Sequence, residues 1–201
     1  MVYRVVMYLI RHGETPSNGQ GRYIGWRNEH MSQRGLSQVN RIKSRLPLFK
    51  KVYASDLGRC VETAAILSGS TGTTRTTKKL REYHFGDFDG RTYEELKTQT
   101  GYQQWLNNME KVTPPGGESL PQFKGRIMYF FSEILNDHSH TDEPIAVVTH
   151  GGVIRTMLHH WSKHSESMWD WLIAPGEAYK VLLEKEGDQW ILSQVERITA
   201  S

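Results

Sequence analysis

The chain has 201 residues, of which 37% are hydrophobic and 23% charged, a balance that supports one substantial core and excludes a disordered chain. Lys and Arg number 25 against 22 Asp and Glu, a formal net charge of +3, which is too small an excess for a nucleic-acid binder but suits anionic ligands. A single cysteine rules out an internal disulfide and points to a reducing compartment.

Val2 to Ile10 is nearly continuously apolar and rich in Val, Ile and Tyr, the pattern of a strand buried on both faces. Its apolar run is too short to span a bilayer, and no small-residue cleavage site follows it. A cytoplasmic protein without a membrane partner is therefore expected. The strand ends in the polar turn Arg11-His12-Gly13-Glu14, followed by a loop with Pro16, Gly19, Gly21 and Gly25. Leu36, Val39, Ile42 and Leu46 then recur at helical spacing behind a candidate cap, Ser32.

Lys51 to Ala54 reads as a short strand, and Leu57 to Leu67 as a helix stopped by Gly69. Thr71 to Thr77 fits a strand or an exposed loop, and Leu80 to Arg91 reads as a loop. Thr92-Tyr93-Glu94-Glu95 is a capping box. Pro114-Pro115-Gly116-Gly117 breaks the chain before a second box, Ser119 with Gln122, which opens a helix whose apolar face is Phe123, Ile127, Phe130, Phe131, Ile134 and Leu135. Pro144 to Thr149 is a second buried strand ending in His150-Gly151-Gly152, with a helix over Val153 to Trp161. Ala178 to Glu184 and Gln189 to Val195 form a hairpin around Glu186-Gly187-Asp188. Strands alternating with helices imply an α/β protein, a single domain over residues 1–201 with residues 81–120 as loops and helices at the edge of the active site.

The same device occurs twice: a buried strand followed by Arg11-His12-Gly13, and a buried strand followed by His150-Gly151-Gly152. Ligands of open α/β sheets sit beyond the carboxyl ends of the strands, so two such histidines can face one ligand. Helix amides near Gly151 and the planar guanidinium of Arg11 favour an anion there, and Arg59 stands in the first turn of another helix.

Leu9-Ile10-Arg11-His12-Gly13-Glu14-Thr15 resembles the signature of the histidine phosphatase superfamily, which includes the cofactor-dependent phosphoglycerate mutases. Ser55 to Ala64, Leu80-Arg81-Glu82 with Phe85 to Gly90, Gly117-Glu118-Ser119 before a helix with Arg126, and Val148 to Gly152 are similar to its further blocks, in order. The resemblance implies a three-layer α/β/α sandwich with a mostly parallel central sheet, phosphoglycerate mutase-like. It implies His12 as phosphoryl-accepting nucleophile and Glu82 as the acid for the leaving oxygen. Arg11, Asn18, Arg59, His150 and Gly151 would hold the phosphate.

The chemistry of these residue types agrees. Imidazole attacks phosphorus only as the neutral base, so the other ring nitrogen of His12 needs an oxygen acceptor. Two guanidiniums and a cationic His150 can stabilise the transferring group without a metal or cofactor. Glu82 competes for the acid role with Glu14, Asp87 and Asp89. Asn18 also suits a turn, Arg59 also suits an ion pair with Glu62, and Cys60 reads as a small buried residue. His138 and His140 read as surface-loop residues near Asp137 and Asp142, His159 and His160 as packed or solvent-facing, and Trp161, Trp169 and Trp171 as an aromatic cluster.

The family includes hydrolases and mutases. Against the mutase pattern, Glu82-Tyr83-His84-Phe85-Gly86 lacks an arginine after the acid, Asn107 to Lys111 lacks an arginine pair, and Ile24 replaces a small polar residue ahead of Gly25-Trp26. Fewer cations and a more apolar pocket, with Ile24, Tyr83, Phe85 and Phe88 as its lining, suit a phosphomonoester with an apolar portion. The expectation is a metal-independent phosphatase acting on a small phosphorylated metabolite, with inorganic phosphate as product. Phe85 to Gly90 and Met168-Trp169 resemble alpha-ribazole phosphatases, and broad-specificity phosphatases have similar segments. The alternatives are a cofactor-dependent phosphoglycerate mutase and a non-catalytic binding module on the same fold.

Overall fold

The computed structural model describes residues 3–69, 72–141, 143–165 and 167–199. Six strands, β1 (Arg4–Arg11), β2 (Lys51–Ser55), β3 (Thr73–Thr77), β4 (Ile145–Thr149), β5 (Ala178–Glu186) and β6 (Gln189–Ile198), form one sheet in the order β3-β2-β4-β1-β5-β6. The β3, β2, β4 and β1 strands are parallel, and β5 runs against both β1 and β6. The helices are α1 (Pro16–Gly19), α2 (Gln33–Lys43), α3 (Gly58–Ser68), α4 (Tyr93–Leu96), α5 (Thr100–Asn107), α6 (Leu120–His138) and α7 (Gly151–Trp161).

The two-residue period of the strands divides the core. Met7, Leu9, Tyr53 and Val147 point to one face, where they join Phe123, Ile127, Phe131, Ile154 and Trp161 of α6 and α7. Tyr8, Ile10, Ala54, Ala146 and Val148 point to the other, where they meet Val39, Ile42, Cys60 and Ala64 of α2 and α3. Burial on both faces explains why β1 and β4 read as unbroken apolar runs. Each large aliphatic side chain so buried contributes about 1.5–3 kcal/mol.

The caps fall where the sequence places them. Ser32 accepts from the Gly35 N–H, Thr92 with Glu95 and Ser119 with Gln122 form reciprocal boxes, and Gly69 stops α3 at φ 58°. The segment after Glu14 differs from the expected loop. Thr15 and Asn18 form a third capping box, and Pro16 takes the first position of the short helix α1, where its missing N–H costs nothing. Leu80 ends one 3₁₀ turn, Lys78–Leu80, and the stretch from there to Arg91 holds another, Gly86–Phe88. The Thr-rich segment is the edge strand β3, with Thr71 outside the described residues, as Val2 is at the start of the chain. His138 is not in a surface loop: it ends α6, 2% exposed, with Nε2 2.9 Å from the Tyr53 hydroxyl. Asp142 lies outside the described residues. The three tryptophans do not cluster: Trp161 packs on Phe131, Trp171 on Tyr179, and Trp169 is 59% exposed beside Arg155. Among the described residues, no helix is long and apolar enough to cross a membrane.

Candidate active site

The parallel β1, β4 and β2 place their carboxyl ends on one edge of the sheet. Arg11 of β1 is in register with Thr149 of β4, so the next residue of each strand is a histidine. The His12 N–H donates to the Thr149 carbonyl at 3.1 Å, and the two imidazole centroids lie 5.1 Å apart. Arg59 enters from the first turn of α3, just beyond the end of β2.

The His12 ring is 3% exposed, and its Nδ1 lies 2.8 Å from the Gly13 carbonyl. Nδ1–H therefore donates to that oxygen, leaving the lone pair on Nε2 as the sequence argument requires. Burial, then Arg59 and Arg11, hold the His12 pKa well below its ordinary value.

Arg59 is completely buried. Its Nη1 and Nη2 donate to the Arg27 and Gly25 carbonyls at 2.8 and 2.7 Å, and its Nε donates to His150 Nδ1 at 3.3 Å. The alternative ion pair with Glu62 does not form; Glu62 instead takes His30 and the Met31 N–H. Because His150 Nδ1 is an acceptor, its proton sits on Nε2. Burial, Arg59, His12 and Arg11 hold its pKa well below the ordinary value. His150 is thus a neutral donor, not the cation expected. The sequence shows two arginines but not that both are close enough to repel a third positive charge.

Arg11 donates through Nη1 to the Ile173 carbonyl at 2.8 Å, while its buried Nε has no partner. Burial lowers its pKa to about 10. Neither Arg11 nor Arg59 has a carboxylate ion-pair partner among the described residues.

Glu82 closes the group. Its Oε2 accepts the Gly152 N–H at 2.8 Å and its Oε1 the Tyr83 N–H at 2.9 Å. The first turn of α7 therefore holds the protein's own carboxylate. Gly151 lies alongside the Arg11 guanidinium. Two of Glu82's rivals have other tasks: Asp89 accepts three backbone N–H groups, those of Gly25, Trp26 and Arg27, and Glu14 pairs with Arg34. The Asp89 contacts shape the loop whose carbonyls hold Arg59.

Arg126 is a scaffold that the motifs alone do not explain. It donates to the Lys79, Arg81 and Glu82 carbonyls and pairs with Glu118 at 2.6 Å. Arg81 makes two 2.7 Å bonds to Asp56, holding that carboxyl below its ordinary pKa, and Thr149 Oγ1 donates to the Leu80 carbonyl. The residues around Glu82 are thereby fastened to the β2–α3 turn, α6 and β4.

A cavity of about 290 Å³ has Arg11, Asn18, Glu82 and Gly152 in its lining, while His12, Arg59 and His150 lie behind that wall. Asn18 Oδ1 accepts the Thr15 N–H at 3.1 Å, leaving Nδ2 as its donor. Ile24, Tyr83 and Phe85 line the cavity. Phe88 does not: it is 4% exposed and packs behind the wall on Tyr102 and Trp105. Tyr23, Trp105, Phe123 and the cations Arg22 and Arg155 were not expected there. Arg22, Tyr23 and Arg155 flank marked segments without belonging to them, and Trp105 and Phe123 come from α5 and α6. Cys60 is buried against His150 with its thiol pushed up to about 12, an inert core residue.

The sequence profile of the histidine phosphatase superfamily (branch 1) matches residues 7–196. The chain is 32% identical over 192 residues to phosphoglycerate mutase-like protein 4 of Arabidopsis thaliana, covering 92% of this chain and 81% of that one. It is 30% identical over 176 residues to the adenosylcobalamin/alpha-ribazole phosphatase of Escherichia coli (strain K12), covering 85% and 86%. The crystal structure of the alpha-ribazole phosphatase from Shigella flexneri superposes with a TM-score of 0.83 at 26% identity, covering 98% of this chain and 96% of that one.

Proposed function

The chain belongs to the histidine phosphatase superfamily, branch 1, and from that premise we propose that it hydrolyses small phosphomonoesters through a phosphohistidine at His12, with no metal or cofactor. The observation that carries this reading is a neutral, tautomer-fixed imidazole beside the fully buried Arg59 and the half-buried Arg11, neither of which has a carboxylate ion-pair partner among the described residues. Uncompensated buried cations are costly, and a phosphoryl group placed among them removes that cost.

His12 Nε2 attacks phosphorus as the ester oxygen leaves on the opposite side, and Glu82 gives that oxygen its proton. Arg11, Arg59, Asn18 and the Nε2–H of His150 bind the equatorial oxygens, whose charge is the main thing the protein must stabilise. Glu82, now ionised, takes a proton from the water that attacks phosphohistidine. Inorganic phosphate departs and His12 is restored. The aromatic wall of Tyr23, Phe85 and Trp105 suits an alcohol portion with an apolar surface. The reading includes a cytoplasmic enzyme acting on metabolites, apart from membranes and nucleic acid.

A mutase would replace water with a second substrate hydroxyl. The departures at Tyr83-His84 and at residues 107–111 weigh against it. The test is turnover of phosphomonoesters with EDTA present, beside 2,3-bisphosphoglycerate-dependent interconversion of phosphoglycerates. Hydrolysis with little interconversion is expected. Robust interconversion with slow hydrolysis assigns the site to a mutase.

A further inference from the structure

Trp26 is flanked in the chain by Gly25 and Arg27, whose carbonyls hold the Arg59 guanidinium at 2.7 and 2.8 Å. The peptide joining Gly25 to Trp26 is held at both ends: its N–H donates to Asp89 Oδ2 at 2.9 Å, and its carbonyl takes Arg59. The indole N–H of Trp26 donates to the Glu82 carbonyl at 2.9 Å. That carbonyl belongs to the peptide whose own N–H, on Tyr83, donates to Glu82 Oε1 at 2.9 Å. The indole therefore fixes the peptide plane that in turn holds the carboxylate. A donor on the carbonyl also polarises this peptide and strengthens its N–H as a donor. Arg126 shares the same carbonyl at 2.8 Å. The indole ring packs against the Arg81 and Arg126 guanidiniums at 4.8 and 5.9 Å, with the His84 ring 4.4 Å away, contacts that fix its orientation.

We propose that Trp26 is a positioning residue that ties the acid to the anion site: its loop holds Arg59, its indole holds Glu82, and one side chain sets the separation of the two. The proposal rests on the hydrolase reading above and adds a residue to it. Trp26 is outside the cavity lining, so its effect on the reaction passes through Glu82. That effect is selective. An alkyl ester needs Glu82 to protonate the departing alkoxide, whereas a nitrophenolate departs without a proton. Loss of the indole N–H slows the first and spares the second.

The test is Trp26→Phe, which keeps an aromatic ring and removes the N–H. The readout is kcat/KM, which covers the half-reaction up to departure of the alcohol. It should fall about 5-fold for benzyl phosphate, the scale of one hydrogen bond, and stay within about twofold for 4-nitrophenyl phosphate. In a Glu82→Gln background the same substitution should change either ester by less than about twofold, because residues that act through one another are not additive. Equal losses for both esters, or an equal further loss in Glu82→Gln, make Trp26 merely structural and overturn the proposal.

Placement of the carboxylate is read separately, by hydrogen exchange at the Tyr83 and Gly152 amides. Gly152 stands in the first turn of α7, where no carbonyl of its own helix can accept its N–H, so its protection comes from Glu82. Trp26→Phe should speed exchange at both amides about 5-fold and leave that of Val147 in β4 unchanged. Unchanged exchange at Tyr83 and Gly152, or an equal rise at Val147, overturns the proposal. Failure of the wild-type protein to hydrolyse either ester overturns the hydrolase reading instead, and the exchange rates then decide on Trp26 without turnover.

Discussion

The Gly152 N–H donates to Glu82 Oε2 at 2.8 Å, and a methyl group at Gly152 would collide with that same carboxylate. A glycine is thus required by close approach, because its backbone is the mount for the acid. Gly152→Ala should displace Glu82 and lower kcat by about 100-fold, the scale of losing a general acid. Binding of inorganic phosphate should change little, since Arg11, Arg59 and His12 are untouched. Steady-state kinetics with phosphate inhibition checks both; equal losses in kcat and phosphate affinity would show that the cup itself had collapsed.

The two site histidines make stability depend on pH. Both are held neutral in the folded protein, well below their ordinary value. The unfolded chain gains protons there below about pH 6.5. Their contribution is therefore intact above that pH and is lost as pH falls toward the depressed folded values. Each adds a slope of about 1.4 kcal/mol per pH unit in that window. Urea midpoints should fall between pH 6.5 and 5, and His150→Asn should reduce the slope by about one proton. A flat wild-type profile would contradict the assigned protonation.

Phosphate or vanadate should stabilise the protein by relieving the repulsion between Arg11 and Arg59. At about 100 times Kd the gain is about 2.7 kcal/mol, read as a rise in Tm. Arg59→Met should weaken this response; an unchanged response would remove Arg59 from the anion site.

Some of this was legible in the residues and some was not. β1 and β4 are visible because strands covered on both faces carry no polar alternation. The edge strand β3 is ambiguous because an exposed Thr-rich strand and a loop share a composition. His12, Arg11, Glu82 and His150 sit at strand or turn positions that ordered motifs mark. Arg155 and Trp105 reach the cavity only by tertiary packing, which no local pattern encodes. The neutrality of His150 and the burial of His138 depend on desolvation and on neighbours distant in the chain. Phe88 follows the right motif yet points into the core, since adjacent residues of a turn face different ways.

The most direct test of the central claim is to quench the protein during turnover of a ³²P-labelled phosphomonoester and locate the label. The account predicts an acid-labile, base-stable phosphoryl group on His12, lost in a folded His12→Ala protein together with turnover. Label at another residue, or full turnover by His12→Ala, would contradict it.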